Sequence, residues 1–311
     1  MTKDVEHISE EVVELIEQGI AYYDNKEDQK ALDCLLKAHE LDPNYIEPVN
    51  ALGNIYYFLG DYENALIFSE KLLAFDEQIV ISIIKVAECY FKLKRYTDAL
   101  TYFQKAVEIT SDDFILWRDI GNCYAAKDDN EKALENFLTS EEINPEEIMT
   151  VFNIANCYDE LQEFEKAIKY YHRSVEIDDG LYMIWSRLAD LHWERKEIQE
   201  AINCLLKSAE YEPNVSSTWN NLACAYQELG KIEESFEYAE KAIALDQNNS
   251  HAYHTLGDSF QIKGNFEAAF DNYKKAVELN PHNELHIEAL RSILKKFDKE
   301  FDLKAFLKKI T

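Results

Sequence analysis

The sequence repeats at an interval of 34 residues. A large apolar residue begins the pattern, a small residue follows four places later, and an aromatic residue or histidine comes seven places after the first. The apolar column is Leu15, Val49, Ile83, Trp117, Val151, Trp185, Trp219 and Tyr253. Eight copies fit without an insertion, at 12–45, 46–79, 80–113, 114–147, 148–181, 182–215, 216–249 and 250–283. A period of this length predicts a stacked array of small supersecondary units.

Within each copy the apolar spacing predicts two helices joined by a short turn. Apolar residues at offsets of 0, 3, 4 and 7 form one helix face, and a second stripe surrounds a small residue, usually alanine, further on. Gly60, Gly230 and Gly264 supply turn chemistry between the two helices. With only 8 glycines and 5 prolines, the chain lacks the turns of a many-stranded β protein, so we expect an all-α fold.

This pattern resembles the tetratricopeptide repeat, in which a large apolar residue, Leu-Gly, Tyr, Ala, Phe and Pro recur at these offsets. Leu52-Gly53 and Leu256-Gly257 show the paired position. The resemblance implies a right-handed α-solenoid, a superhelix of helical hairpins. Because terminal repeats need polar covers, residues 284–311 are interpreted as C-terminal capping helices. Residues 1–11, which precede the first copy, are interpreted as an N-terminal extension.

Three cysteines share one place in consecutive copies. Cys89, Cys123 and Cys157 each stand directly before the aromatic residue that comes seven places after the large apolar one. Other copies have Ala21, Ala225 or Ser259 at the cysteine position. The place therefore favours a small buried side chain, and cysteine packs as one. The paired C-x2-C spacing of a zinc site is absent. Without a recognisable secretion signal, six cysteines also favour free thiols in a reducing compartment.

The formal net charge is −28, from 60 acidic and 32 basic side chains. Nucleic acid and anionic membrane surfaces are therefore unexpected partners, because binding them requires positive charge. No apolar run reaches membrane-spanning length, and the amino terminus is charged from its third residue, unlike a signal peptide. The expected location is the cytoplasm.

No nucleotide-binding, hydrolase or metalloprotease motif occurs, so no catalytic residue, cofactor or metal is predicted. His251, His254 and Asp258 share one helix face and have a spacing that metal ligands can use. Polar residues at this spacing also arise on any solvated face, and lining of a surface groove is the default interpretation.

The resemblance implies a concave groove lined by six places on the first helix of each copy. Apolar residues concentrate there from copy two to copy six: Tyr57, Phe58, Ile81, Ile84, Phe91, Ile115, Met149, Phe152, Met183 and Trp193. The spacing leaves open whether Ile81, Ile115, Met149 and Met183 face the groove or pack on the neighbouring hairpin.

Asparagines and acidic residues share the same helices. A side-chain amide donates and accepts, so a spaced row of amides can hold an extended peptide backbone. The resemblance assigns that role to Asn153, Asn156 and Asn221, and helix-surface filler is the alternative. Acidic residues outnumber basic ones on the groove places, which favours a basic ligand.

A different ligand is implied by chaperone-adaptor tetratricopeptide domains, which clamp C-terminal carboxylates with Lys, Asn, Asn, Lys and Arg. The five matching places here hold Arg118, Asn122, Asn153, Met183 and Arg187. Met183 lacks the charge that the clamp uses. Asp119 and Asp190 stand close enough to neutralise the two arginines themselves.

We therefore predict a non-catalytic protein–protein interaction scaffold that binds an extended or helical peptide in its groove. The expected partner is a basic or neutral protein or peptide. The first alternative is a structural assembly subunit that uses its convex face or edges and self-associates, and the second is an adaptor for an acidic C-terminus. The predicted groove residues are Asn50, Asn54, Tyr57, Lys85, Arg118, Asn122, Phe152, Asn153, Asn156, Met183, Arg187, Trp193, Asn220 and Asn221.

Overall fold

A computed structural model describes residues 9–75, 80–297 and 301–310, and every regular element in these ranges is a helix. The all-α fold class is therefore confirmed. The chain forms two compact units, residues 1–162 and 163–311, and each is described by itself. Residues 1–8 of the predicted extension lie outside the described residues.

Within its described residues, unit one contains the helices of copies one to four and the first helix of copy five. They are α1 (Glu10–Asp24), α2 (Asp28–Leu41), α3 (Ile46–Phe58), α4 (Tyr62–Phe75), α5 (Val80–Lys92), α6 (Tyr96–Ile109), α7 (Phe114–Ala125), α8 (Asn130–Ile143) and α9 (Ile148–Glu160).

Unit two contains the second helix of copy five, copies six to eight and the two terminal helices. They are α10 (Phe164–Ile177), α11 (Tyr182–Glu194), α12 (Ile198–Tyr211), α13 (Ser216–Glu228), α14 (Ile232–Leu245), α15 (Ser250–Ile262), α16 (Phe266–Leu279), α17 (Glu284–Phe297) and α18 (Leu303–Ile310).

The turn after the first helix has the same backbone geometry in every copy. The fifteenth residue of each copy lies in this turn and has a positive φ, between 59° and 79°. These residues are Lys26, Gly60, Lys94, Asp128, Gln162, Lys196, Gly230 and Gly264. The next amide donates back across the helix end, as Arg95 N does to Tyr90 O at 2.8 Å. This Schellman arrangement satisfies the last carbonyls of a helix and reverses the chain.

The predicted apolar columns form most of the core, although Leu15 and Trp117 of unit one are only half-buried. In unit one, Val49, Leu52, Val86 and Val151 are fully buried. One core cluster joins residues of α1 to α4, and another joins residues of α4 to α7. Each hairpin is thus covered by its neighbours, as a stacked repeat requires.

The last copy of unit two is covered by the two terminal helices. Ile287, Leu290 and Ile293 of α17 are buried with Phe270 of α16, and Phe306 of α18 packs against the same cluster. The position of α17 is what brings His286 against α15, as described below.

Candidate functional site

Polar side chains of successive first helices contact one another in unit one. Lys85 Nζ of α5 donates to Asn50 Oδ1 of α3 at 2.7 Å. Asn153 Nδ2 of α9 donates to Asn122 Oδ1 of α7 at 3.0 Å. These two hydrogen bonds join equivalent faces of copies two and three and of copies four and five. Asn54, on the same helix as Asn50, is half-buried.

Arg118 of α7 is already paired with two carboxylates. Its Nε and Nη2 donate to Asp119 Oδ1 at 3.3 Å, and its Nη1 donates to Glu147 Oε1 at 3.5 Å. Asn122 Nδ2 also donates to Asp119 Oδ1 at 3.3 Å. Arg118 therefore carries no charge in excess of its own acidic neighbours to offer a ligand carboxylate.

An open depression recurs where two copies of unit one meet. The acidic depression lies between copies three and four and is also reached by Tyr57 of copy two. It has a volume of about 230 Å³ and is lined by Tyr57, Glu88, Phe91, Lys92, Phe103, Asp119 and Asn122. The amide depression, between copies four and five, has a volume of about 250 Å³ and is lined mainly by Asn122, Asn130, Asn153, Asn156, Asp128, Glu160 and Phe137. In both, the twenty-fourth residue of the earlier copy, Phe103 or Phe137, contributes from the second helix.

The two carboxylates of the acidic depression, Glu88 and Asp119, are half-buried. Burial, and after it the charge of Asp119, raises the pKa of Glu88 above its ordinary value although Lys85 and Lys92 act against the shift. Burial raises the pKa of Asp119 in spite of Arg118. Burial and the Glu88 charge raise the pKa of Tyr57 to about 12, so this phenol stays protonated at neutral pH.

Unit two has a comparable depression between copies six and seven. It has a volume of about 250 Å³ and is lined by Ala189, Asp190, Trp193, Leu205, Asn221 and Cys224. Met183 and Arg187 are exposed on α11. Trp193 and Asn221 thus share one depression within this unit.

Asn220 requires a correction. The sequence places it in the groove, but its side chain is only 8% exposed. Its Oδ1 accepts a hydrogen bond from Thr255 of α15 at 3.0 Å. Asn220 therefore ties copies seven and eight together and does not belong to the open surface.

The second residue of each copy, called the second place below, is exposed to solvent. The exposed fractions are 64% for Ile81, 42% for Ile115, 39% for Met149 and 44% for Met183. These side chains are therefore not buried against the neighbouring hairpin. Phe58 is also exposed, whereas Phe152 is half-buried.

The periodic cysteines are packing residues. Cys89, Cys123 and Cys157 are at most 3% exposed. Burial raises the pKa of the Cys89 thiol to about 11 and the pKa values of the Cys123 and Cys157 thiols to about 12. All six cysteines of the chain are free thiols. The buried thiols stay protonated, and so unreactive, at neutral pH.

His254 also differs from the default interpretation of a groove residue. Its Nδ1 lies 3.2 Å from Nδ1 of His286 on α17, and its Nε2 lies 3.5 Å from Asp258 Oδ2. His254 is therefore part of the packing between α15 and α17. Across residues 9–75, 80–297 and 301–310, no group of three or more His, Cys, Asp or Glu side chains could hold a metal ion. In the same ranges, the structure contains no helix with the length and hydropathy needed to span a bilayer.

Family models of the tetratricopeptide repeat match residues 13–45, 47–79, 83–113, 151–180, 184–215 and 214–282. The chain belongs to the tetratricopeptide repeat family. Copy four lies outside these ranges, yet α7 and α8 of this tetratricopeptide repeat protein have the same turn geometry as the other hairpins. No curated protein matches the chain.

Solved tetratricopeptide repeat structures resemble this chain at low identity. The C-terminal part of a TPR repeat-containing protein from Cytophaga hutchinsonii matches with a TM-score of 0.64 and 17% identity, over 76% of this chain and 98% of that one. A chain of the APC/C hetero-tetramer Cut9-Hcn1 matches with a TM-score of 0.57 and 15% identity, over 86% of this chain and 52% of that one, so this chain spans about half its length. YrrB, described as a TPR protein with an unusual peptide-binding site, matches with a TM-score of 0.54 and 17% identity, over 61% of this chain and 97% of that one. At these identities the likeness shows the fold alone.

Sequence reasoning missed two residues at the candidate site of this tetratricopeptide repeat protein. Glu147 pairs with Arg118, and its only sequence signal is its position before α9, where its Oε2 accepts from Thr150 N at 2.6 Å as an N-cap. Phe103 lines the acidic depression from a second helix, so a search confined to first helices does not find it.

Proposed function

We propose that this tetratricopeptide repeat chain is a non-catalytic scaffold that binds an extended peptide segment of a partner protein across the first helices of unit one. The Asn122–Asn153 contact carries the proposal. Asn153 donates one amide hydrogen to Asn122. Its second amide hydrogen and its Oδ1 have no partner within the described part of the chain. A free donor and acceptor on one side chain can receive the C=O and N–H groups of an extended backbone.

The surroundings of Asn153 support a peptide ligand. The amide depression beside it, at about 250 Å³, has room for a single side chain. The exposed second-place residues Ile115 and Met149 offer apolar contacts on the same helices. A net charge of −28 favours a basic or neutral partner over an acidic one and speeds the approach of a basic one. Free buried thiols suit a reducing compartment, and we place the protein in the cytoplasm.

Two matched variants test the proposal on peptides selected from a random phage-displayed library against the full chain. Asn153→Ala removes the free amide, whereas Asn136→Ala removes an amide of α8 that bonds to the Lys132 carbonyl of its own helix at 2.7 Å. Fluorescence anisotropy should show binding about tenfold weaker for Asn153→Ala, the effect of one good hydrogen bond, and unchanged binding for Asn136→Ala.

Equal affinities of the two variants would contradict the proposal. Selection of no peptide, together with a dimer in analytical ultracentrifugation, would instead favour the assembly subunit. Circular dichroism melting curves of both variants control for folding.

A further inference from the structure

We propose that the acidic depression is a subsite for one arginine or lysine side chain of the bound peptide. This inference rests on the proposed peptide-binding function and adds a ligand side-chain class at one place. At about 230 Å³ the depression is smaller than the pockets of drug-sized molecules, which span roughly 300–1,000 Å³. It suits a single side chain better than a separate small-molecule ligand.

Two aromatic rings on adjacent first helices form its apolar walls. Tyr57 lies edge-on to Tyr62, with ring centroids 5.4 Å apart, and Phe91 lies edge-on to Tyr96, with centroids 5.5 Å apart. These contacts hold both rings in place. A cation within about 6 Å of an aromatic centroid is attracted by the ring quadrupole, and the aliphatic stem of arginine or lysine packs well on such rings.

Two carboxylates supply the charge. Glu88 makes no hydrogen bond or ion pair in the described ranges, although it is half-buried. Asp119 uses only Oδ1 for its bonds to Arg118 and Asn122, which leaves Oδ2 without a partner among the same residues. Burial raises the pKa of both carboxyl groups, so their desolvation is not fully offset by the protein's own cations. A ligand guanidinium carries five donors and would offset it.

Two of the chain's own cations near the depression already have partners, Arg118 partly on Asp119 of the depression itself, and Lys92 has none among the described residues. Arg118 is shared between Asp119 and Glu147, and Lys85 donates to Asn50. Lys92 lines the rim, is exposed and makes no bond within the described residues. Its charge opposes a ligand cation, so substitutions at Glu88 and Lys92 should act in opposite directions on the same peptide.

The experiment uses the full chain and the library-selected peptides whose binding depends on Asn153. We expect an arginine or lysine to recur at one peptide position. With arginine placed at that position, its replacement by citrulline, which keeps the shape of arginine without its charge, should weaken binding about tenfold. Glu88→Gln should weaken the arginine peptide about tenfold and leave the citrulline peptide unchanged. Lys92→Gln should tighten the arginine peptide about twofold.

Glu135→Gln is the matched control, because Glu135 is an exposed residue of α8 that does not line the depression. It should leave both affinities unchanged. Asn153-dependent peptides without a recurrent cation, or an equal loss for both peptides with Glu88→Gln, would overturn the subsite and leave the peptide-binding function standing. Binding that is indifferent to Asn153 would overturn the function itself, and the subsite with it.

Discussion

Lys94 occupies a backbone conformation that usually belongs to glycine. Its φ is 59°, and Gly60, Gly230 and Gly264 hold the same place in other copies. The left-handed conformation costs an L-residue about 1–2 kcal/mol. The turn requires it because the next amide, of Arg95, must reach the Tyr90 carbonyl. Five copies therefore accept a strained residue where three use glycine.

Replacing Lys94 by glycine should relieve this strain. Part of the gain is lost because glycine has more freedom in the unfolded chain, so we expect the free energy of unfolding to rise by about 0.5–1 kcal/mol. Urea unfolding followed by circular dichroism measures the change. Lys92→Gly, at the last residue of α5, is the control and should lower stability, by less than the roughly 1 kcal/mol that glycine costs in a helix interior. A loss of stability in Lys94→Gly would refute this account of the turn.

The free space beside the eighth residue of the copy differs between hairpins. A Cβ added to Gly121 would lie 2.6 Å from Cε1 of Phe137, whereas a Cβ added to Gly53 would lie 3.6 Å from Phe68 Cβ and Ser69 Oγ. The sequence shows a small residue at both places and does not distinguish them. The difference arises on the opposite helix, where Phe137 presents an aromatic ring and Ser69 does not.

Alanine substitutions at these two glycines should therefore change the free energy of unfolding in opposite directions. Gly121→Ala forces the fully buried Phe137 to move, and overpacking of this kind costs about 1–3 kcal/mol. Gly53→Ala finds ordinary van der Waals space and should gain up to about 1 kcal/mol from helix propensity. Thermal unfolding of both variants measures the two changes. Similar effects in both would show that the ring of Phe137 moves aside freely.

At the scale of the whole molecule, the last hairpin of an array has no following repeat to cover its apolar face, so a capping element must cover it. In unit two, α17 closes the last copy and buries His286 completely. The His286 ring lies 5.0 Å from the His251 ring and 4.9 Å from the His254 ring, measured between centroids. Its Nε2 is 3.3 Å from Ser250 Oγ, and His254 also faces Asp258. Burial, then the neighbouring histidines, lowers the pKa of His286 to about 4.

This histidine makes the closure dependent on pH. The pKa of His286 is lowered from 6.5 to about 4 in the folded state. Between these values the unfolded chain binds a proton that the folded chain does not. The free energy of unfolding is therefore highest above pH 6.5 and decreases as the pH approaches 4. The decrease down to pH 5 is about 2 kcal/mol.

Chemical unfolding at pH 7 and pH 5 checks the effect. His286→Gln should reduce the loss between the two pH values, whereas His282→Gln, at an exposed position, should retain it. The same loss in both variants would locate the pH dependence in other groups.

The sequence by itself determined the hairpin array, because a 34-residue period and helical offsets specify which residues share a face and which are buried. It also identified the cysteine column as packing, since a periodic small residue needs no partner. Only the tertiary structure decided which polar residues of the predicted groove stay available. Asn220 is occupied by Thr255, 35 residues away, whereas Asn153 keeps a free donor and acceptor beside Asn122. Such outcomes depend on side-chain rotamers and on partners from other helices, and the repeat pattern specifies neither.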